Sequence, residues 1–275
     1  MTTSQNPLGR NTEYPSSYDP ALLFPIARAG NRQRFEVTST ELPFRGYDLW
    51  RAYEISWLDL RGKPVVAAAE ILVPAESPCM VESKSFKLYL NSLNQRCFEN
   101  RESVQQLIAD DLARIIQARC LVQLYLPHEF SQLSCVQPEG LSLDELSLDI
   151  NVYKPDAGLL RVVEGQMRSE TLYSNLFRSN CPVTSQPDWG TAVIQYTGNA
   201  IDHGSLLRYL VSYRHHNGFH EDCVEQIYVD VMGVMKPERL SVAINFLRRG
   251  GLEINPVRSS HPVEMEFPAV RLVRQ

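Results

Sequence analysis

Glycine is scarce in this chain, 14 of 275 residues, and none of it forms Gly-x-Gly-x-x-Gly after a strand. A dinucleotide site of the βαβ kind therefore has no anchor. Gly-x-Ser-x-Gly, His-Glu-x-x-His and the phosphate-loop motif are missing as well. No apolar run reaches the roughly 18–20 residues that a membrane helix needs. The longest, Val65 to Val73, is interrupted by Glu70. The six cysteines never form Cys-x-x-Cys, which argues against a zinc ribbon and gives no sign of a disulfide framework. Met1-Thr-Thr-Ser-Gln-Asn-Pro7 has neither the basic start nor the apolar segment of a secretory signal, so a cytoplasmic, reducing compartment is expected. A surplus of positive charge is absent too. Against 27 basic residues stand 32 acidic ones, a net charge of −5, which suits neither nucleic acid nor an anionic membrane as a direct partner.

The residues present make an ordinary globular mixture, 44% hydrophobic and 21% charged, and this excludes wholesale disorder. The length allows one large domain or two ordinary ones. Residues 1–40 contain four prolines and read as an extended N-terminal arm. Tyr53 to Trp57 alternates apolar and polar, and Val65 to Val73 is β-branched, which predicts a hairpin across the Arg61–Pro64 break. Phe86, Tyr89, Leu90 and Leu93 share one helical face, as do Val104, Leu107, Ile108, Leu112, Ile115 and Ile116. Ser103 and Gln106 have capping-box spacing, and Ser83 and Ser85 are candidate caps of the earlier helix. Cys120 to Leu126 reads as a strand. Residues 128–158 connect two halves, with 147–152 a candidate strand of the first sheet.

The second half repeats this order. Extended segments fall near 159–175 and 191–197. A helix follows with Asp202 as its cap, and another starts near His220 and stops at Pro237. Strict alternation marks 239–247 as a strand. Arg248 to Gly251 makes a turn, and a last strand begins at Leu252. Strands and helices segregate, which gives an α+β class with antiparallel sheets. The expected division is an arm at 1–40, a first half at 41–155 and a second at 156–275.

Four stretches could carry chemistry. Cys181 lies among turn residues outside any apolar stripe, with Asp188 seven residues on. The pair reads either as a surface thiol and a turn aspartate, or as a nucleophile with an acid partner. His216 and His220 are four apart, as metal ligands on a helix would be, but Gly218 between them weakens that geometry. His220 and Glu221 could instead face a ligand from a helix start, or simply cap it. Glu82, Ser83, Lys84, Ser85 and Lys87 surround another helix start, which reads as a solvated, well-capped end or as a phosphate site. Arg248 and Arg249 precede Gly250 and Gly251, an exposed turn or a second approach to phosphate.

Together these stretches resemble one family. Glu82-Ser-Lys-Ser-Phe-Lys-Leu-Tyr89 looks like the signature of the NADPH-dependent 7-cyano-7-deazaguanine reductases, the nitrile reductases of queuosine biosynthesis. The likeness extends to Ser179-Asn-Cys-Pro182, Gln186-Pro-Asp-Trp-Gly190, Arg214 to Glu221 and Arg248 to Pro256. It implies tandem tunnelling-fold (T-fold) units, antiparallel sheets with helices on one face, in a long single-chain form that dimerises. It implies reduction of a nitrile to a primary amine with two NADPH and no metal. By that similarity Cys181 is the nucleophile that forms a thioimidate, Asp188 a proton donor held protonated or sharing the thiol's proton, and His220 an assistant to proton transfer. Met80, Val81, Glu82, His220 and Glu221 are then expected at the deazaguanine. Glu82, Ser83, Lys84, Ser85, Arg249 and Gly250 are expected at NADPH. Two rivals share the general pattern: a zinc cyclohydrolase of the same fold, and a purine- or pterin-binding module without chemistry.

Overall fold

Alternation of apolar and polar residues sets the sheet, and two pairs of amphipathic helices cover it. The computed structural model describes residues 14–37, 41–267 and 270–275. In chain order these form β1 (Pro25–Ala27), α1 (Arg28–Arg32), β2 (Arg45–Leu58), β3 (Pro64–Pro74), β4 (Cys79–Val81), α2 (Ser83–Ser92), α3 (Arg101–Ile116), β5 (Leu121–Tyr125), β6 (Ser134–Val136) and β7 (Leu141–Ser142). Then follow β8 (Val162–Ser174), β9 (Arg178–Asn180), β10 (Pro187–Ile201), α4 (His203–Ser212), α5 (His220–Met235), β11 (Arg239–Phe246), β12 (Leu252–Ser259) and β13 (Val270–Leu272). Among the described residues the main sheet runs β5-β3-β2-β12-β11-β10-β8-β7, with β9 beside β10. Its neighbours pair antiparallel except the short β7 on β8. The α+β class follows directly. One sheet spans both halves, because β12 pairs along β2 from Leu252↔Ala52 to Ser259↔Arg45.

The helices pack on one face of this sheet. Trp50, Ala52, Ala67, Ala69, Ile71, Val122 and Leu124 share an apolar core with Phe86, Leu90, Val104, Ile108 and Leu112 of α2 and α3. Their strand positions alternate, as a half-buried strand requires. Ala192, Ile194, Leu240, Val242 and Ile244 form a second core with Leu206, Leu210, Val224, Ile227 and Val231 of α4 and α5.

The duplication is visible in individual bonds. α2 and α4 have 10 residues each, and α3 and α5 have 16 each. Glu82 caps α2 and Asp202 caps α4. Ser85 Oγ donates to the Glu82 carbonyl and accepts from the Phe24 N–H; Ser205 Oγ does the same with Asp202 and Arg161. Tyr89 bonds Asp111 and Tyr209 bonds Asp230, and Ser92 and Ser212 each bond back to those tyrosines. Polar positions that fix helix ends have stayed alike where the apolar residues have diverged.

Between the two cores runs a buried ionic seam. Arg258 of β12 pairs with Asp48 of β2 and Glu225 of α5, each at 2.8 Å. Arg28 holds Asp48, and Arg32 holds Glu225 at 2.7 Å, both from α1. Every one of these side chains is buried. Burial pushes the Asp48 and Glu225 carboxyls up, but the arginines beside them outweigh it and both stay below their ordinary values.

Several expectations are corrected. The described part of the arm is not merely extended, since β1 pairs with β4 and α1 docks on α5. Residues 1–13 and 38–40 of that arm lie outside the described residues. Residues 147–152 form no strand. α3 is capped by Asn100, which accepts from the Ser103 N–H, so Ser103 is the third helical residue and not the cap. α2 is capped by Glu82 and neither serine. The carboxylate serves two orphan helix N–H groups with a separate oxygen each.

Removing one member of the seam leaves buried carboxylates unpaired. Arg258→Met is expected to lower unfolding free energy by about 3–5 kcal/mol, as measured by urea denaturation. Carboxyls held below their unfolded values stabilise above pH ~4 and lose that contribution as pH falls through their folded values. Acid should therefore narrow the gap between variant and wild type.

Candidate active site

Four segments far apart in sequence meet at the seam between the halves. β9 and β10 carry Cys181 and Asp188 on the two sides of a tight loop. That loop closes through Cys181 N–H to the Gln186 carbonyl at 2.9 Å and Ser185 N–H to the Cys181 carbonyl at 3.0 Å. The segment before α5 is tied to it. The Asn180 N–H donates to the His216 carbonyl at 2.8 Å, and the Gly218 N–H donates back to the Asn180 carbonyl at 3.1 Å. This places His220 and Glu221 at the mouth of the loop. α2 supplies the opposite wall, and the Arg248–Gly251 turn between β11 and β12 supplies the floor.

These segments enclose a cavity of about 580 Å³. Met80, Val81, Glu82, Ser83, Lys84, Cys181, Asp188, His220, Glu221, Arg249 and Gly250, all expected from the sequence, line it. Ser85 is the exception. It is fully buried, with its hydroxyl spent on the Glu82 carbonyl and the Phe24 N–H. The matching bonds of Ser205 in the other half mark this as an anchor of the chain and not a ligand contact.

Glu82 also departs from expectation. Its Oε1 accepts from the Lys84 N–H at 2.8 Å and its Oε2 from the Ser85 N–H at 2.7 Å. Burial pushes this carboxyl up, only partly offset by those bonds. The carboxylate thus caps the helix while the residue lines the cavity wall.

The charge pattern within the cavity is specific. Burial alone would raise the Cys181 thiol. The Thr184 hydroxyl, the Thr184 and Val183 N–H groups and the Arg249 charge more than reverse this, and the thiol lies below its ordinary value. The contrast with the other buried thiols is sharp, because burial pushes Cys79 and Cys223 up and Cys120 up to about 11. Asp188 is buried yet also lowered. Its desolvation is outweighed by bonds and charge from His220 and Arg249. One Asp188 oxygen pairs with Arg249 and the other lies 3.4 Å from His220 Nε2. Of the two expectations for Asp188, held protonated or sharing the thiol's proton, a lowered carboxyl between Arg249 and His220 favours the second. His220 is held flat on Phe246, with ring centroids 3.7 Å apart.

Glu221 sits at the other extreme. Burial and the nearby Asp48 push its carboxyl up to about 7, against the pull of Arg28 and His220. It projects from the first turn of α5, one turn before the seam residue Glu225. His216 and His220 do not act as a pair, since His216 packs on Tyr213. Among the described residues no three His, Cys, Asp or Glu side chains gather as metal ligands would.

Sequence reasoning undervalued Lys87, Thr184, Phe219 and Tyr14. Lys87, Phe219 and Tyr14 line the cavity. Lys87 lies one helical turn beyond Ser83, a spacing legible beforehand. Its ammonium lies against Gly250, where an added Cβ would fall 1.4 Å from Nζ and the backbone has φ +57°. The positive φ favours glycine there, whereas the lysine tip could swing away from an added Cβ. Thr184 acts through a turn whose shape the sequence does not reveal.

The model of the nitrile reductase, 7-cyano-7-deazaguanine-reductase N-terminal family matches residues 14–124, and that of the QueF-like protein family matches residues 187–264. The chain is 51% identical over 278 residues to the NADPH-dependent 7-cyano-7-deazaguanine reductase of Burkholderia cenocepacia (strain HI2424), covering all of both chains. It is 50% identical over 276 residues to the protein of that name from Paraburkholderia xenovorans (strain LB400), again covering all of both. A crystal structure of the archaeosine synthase QueF-Like in its apo form aligns over 37% of this chain and 100% of that chain, at 17% identity and a TM-score of 0.32. That last likeness is too slight to argue from.

If Glu221 holds a guanine-like base, as the resemblance implies, it must be ionised to accept two hydrogen bonds. Affinity for a guanine-like base is expected to fall as pH drops through about 7 and to level off above it. Calorimetric titration between about pH 5.5 and 8.5 reads this directly, and a flat profile would contradict the assignment.

Proposed function

The chain belongs to the NADPH-dependent 7-cyano-7-deazaguanine reductase family and is a nitrile oxidoreductase, and from that premise we propose that Cys181 takes up the nitrile carbon covalently. The observation that carries this is the environment of the sulfur. It is the one buried cysteine whose thiol is drawn down, and it opens on a cavity shared with Asp188, His220 and Glu221.

The reaction turns R–C≡N into R–CH₂–NH₂, a four-electron change. Glu221 would fix the deazaguanine through its ring N–H and exocyclic NH₂, two donors matched to two carboxylate oxygens. This orientation aims the nitrile along the cavity at Cys181. The sulfur adds to the nitrile carbon, one C–N π bond breaks, and the nitrogen takes the proton that the thiol gave to the Asp188–His220 pair. The product is a thioimidate, a better hydride acceptor than a nitrile. NADPH would supply a hydride to that carbon, and a second to the imine left when the C–S bond breaks. Met80, Val81, Phe219, Leu247 and Ile254 give the site apolar walls, which protect an imine from water.

The nucleotide fits the α2 end of the cavity. Lys84, Lys87 and the Arg248–Gly251 turn gather positive charge there, with Ser83 beside them. The Gly250 notch lets the Lys87 ammonium reach the turn, and this donor set is the kind that holds phosphate. Arg249 belongs to this group by position, but its guanidinium is engaged with Asp188.

We place the division of the halves near residue 155, with each core borrowing across it: Phe44 and Leu143 pack in the second, Leu252 in the first. A homodimer is the assembly we favour. Among the described residues the edge of β8 before Leu172 has a strand partner only on its β10 side, which suits pairing with a second copy. A cytoplasmic location suits six free cysteines.

Purified protein with 7-cyano-7-deazaguanine should consume two NADPH per nitrile and release the primary amine, read by absorbance and product mass. No consumption would overturn the reading. Cys181→Ala should retain base binding and lose turnover by roughly 10³-fold or more, measured by calorimetry and single-turnover assay. Glu221→Gln should weaken base binding about 10–100-fold with Cys181 still reactive to iodoacetamide.

A further inference from the structure

We propose that Arg249 is a catalytic residue of the first, nucleotide-free step: its guanidinium clamps the Cys181 sulfur and the Asp188 carboxylate together and keeps the sulfur nucleophilic before NADPH arrives. The proposal rests on the reading of Cys181 as the nucleophile.

Geometry separates Arg249 from its neighbour. Arg248 lays its guanidinium over the Tyr53 ring, 4.9 Å from the centroid. Arg249 turns the other way. Its Nη1 pairs with Asp188 Oδ1, and its side chain lines the same cavity as Cys181, whose thiol the Arg249 charge helps to draw down. The backbone holds this aim, because Arg249 and Leu252 exchange N–H to carbonyl bonds at 2.8 and 3.4 Å. Gly250 and Gly251, both at positive φ, make the turn between them. A residue devoted to phosphate gains nothing from a carboxylate partner, which competes with the anion it must bind.

The clamp answers an electrostatic problem. Asp188 lines the same cavity as the sulfur, and an unneutralised carboxylate there would disfavour a thiolate. Arg249 neutralises Asp188 and leaves the sulfur with the Thr184 hydroxyl and the Thr184 and Val183 N–H donors. On α5, His220 faces Asp188, and Glu221 faces the Asp48 and Arg28 side of the site. On α2, the Glu82 carboxylate is tied to the helix end while Lys84 and Lys87 line the nucleotide side. Arg249 is therefore the charge placed to act on the sulfur. It transfers no proton. The sulfur's electron pair forms the C–S bond, the π pair moves to nitrogen, and the Asp188–His220 pair delivers the proton.

The test needs no NADPH. The pH midpoint of Cys181 alkylation by iodoacetamide is read by peptide mass spectrometry. The rate of nitrile adduct formation is read by intact mass. In Arg249→Gln the alkylation midpoint should rise by about 1–3 pH units, and adduct formation at pH 7 should slow tenfold or more. Arg249→Lys, which keeps the charge but not the fork, should show a smaller rise and stays informative should the glutamine variant fail to fold. Both readouts unchanged, with only the KM for NADPH raised, would overturn the proposal and leave Arg249 a nucleotide residue. A wild-type enzyme that gives no adduct would instead overturn the nucleophile reading, and the alkylation midpoints would still decide the Arg249 contact.

Discussion

The pairing of Arg258 with Asp48 and Glu225 is the constraint on which the rest of this structure depends. Each residue comes from a different element, β12, β2 and α5, and each is buried. The two apolar cores do not merge across the seam; the ions fill the space where they would meet. A buried ion pair is weak as a source of stability but strong as a fixer of geometry, because a misregistered partner leaves a charge unpaired. Here it fixes the register of β12 against β2 and the depth of α5. The active cavity opens along the same seam, and Glu221 lies one helical turn from Glu225.

The cavity then works by opposing pressures on like groups. Burial raises carboxyls and thiols alike. Where donors and cations are supplied, at Cys181 and Asp188, burial loses. At Glu221, with Asp48 close and few donors, burial wins. One cavity thus holds a thiol and a carboxyl drawn below their ordinary values and a second carboxyl pushed up to about 7, the set that the proposed roles of nucleophile, proton carrier and base recognition would use. Nitrile reduction asks for all three, since the carbon must be attacked, the nitrogen protonated and the base held.

Much of this was legible in the residues. Strand and helix positions followed from periodicity, and the motif at Glu82 to Tyr89 named the family before any coordinates did. Helix ends were read less well. Glu82 was expected at ligand, and the chain does not reveal that it also caps α2 while lining the cavity. Ser85 was expected beside it, but its hydroxyl is turned to the Glu82 carbonyl and the Phe24 N–H, as its twin Ser205 is in the other half. For Asp188 the residues left two states open, held protonated or sharing the thiol's proton, because nothing along the chain reveals that Arg249, 61 residues on, lands against it. The seam was invisible for a like reason. Arg28, Arg32, Asp48, Glu225 and Arg258 form no motif, and only the pairing of β12 with β2 brings them together.

The central claim is that the nitrile is captured by one particular sulfur at the seam. Protein incubated with 7-cyano-7-deazaguanine without NADPH, then digested and mapped by mass spectrometry, tests it most directly. The account predicts one substrate mass on the peptide containing Cys181 and none on those containing Cys79, Cys97, Cys120, Cys135 or Cys223. An adduct on another cysteine, or turnover with no adduct on Cys181, would contradict it.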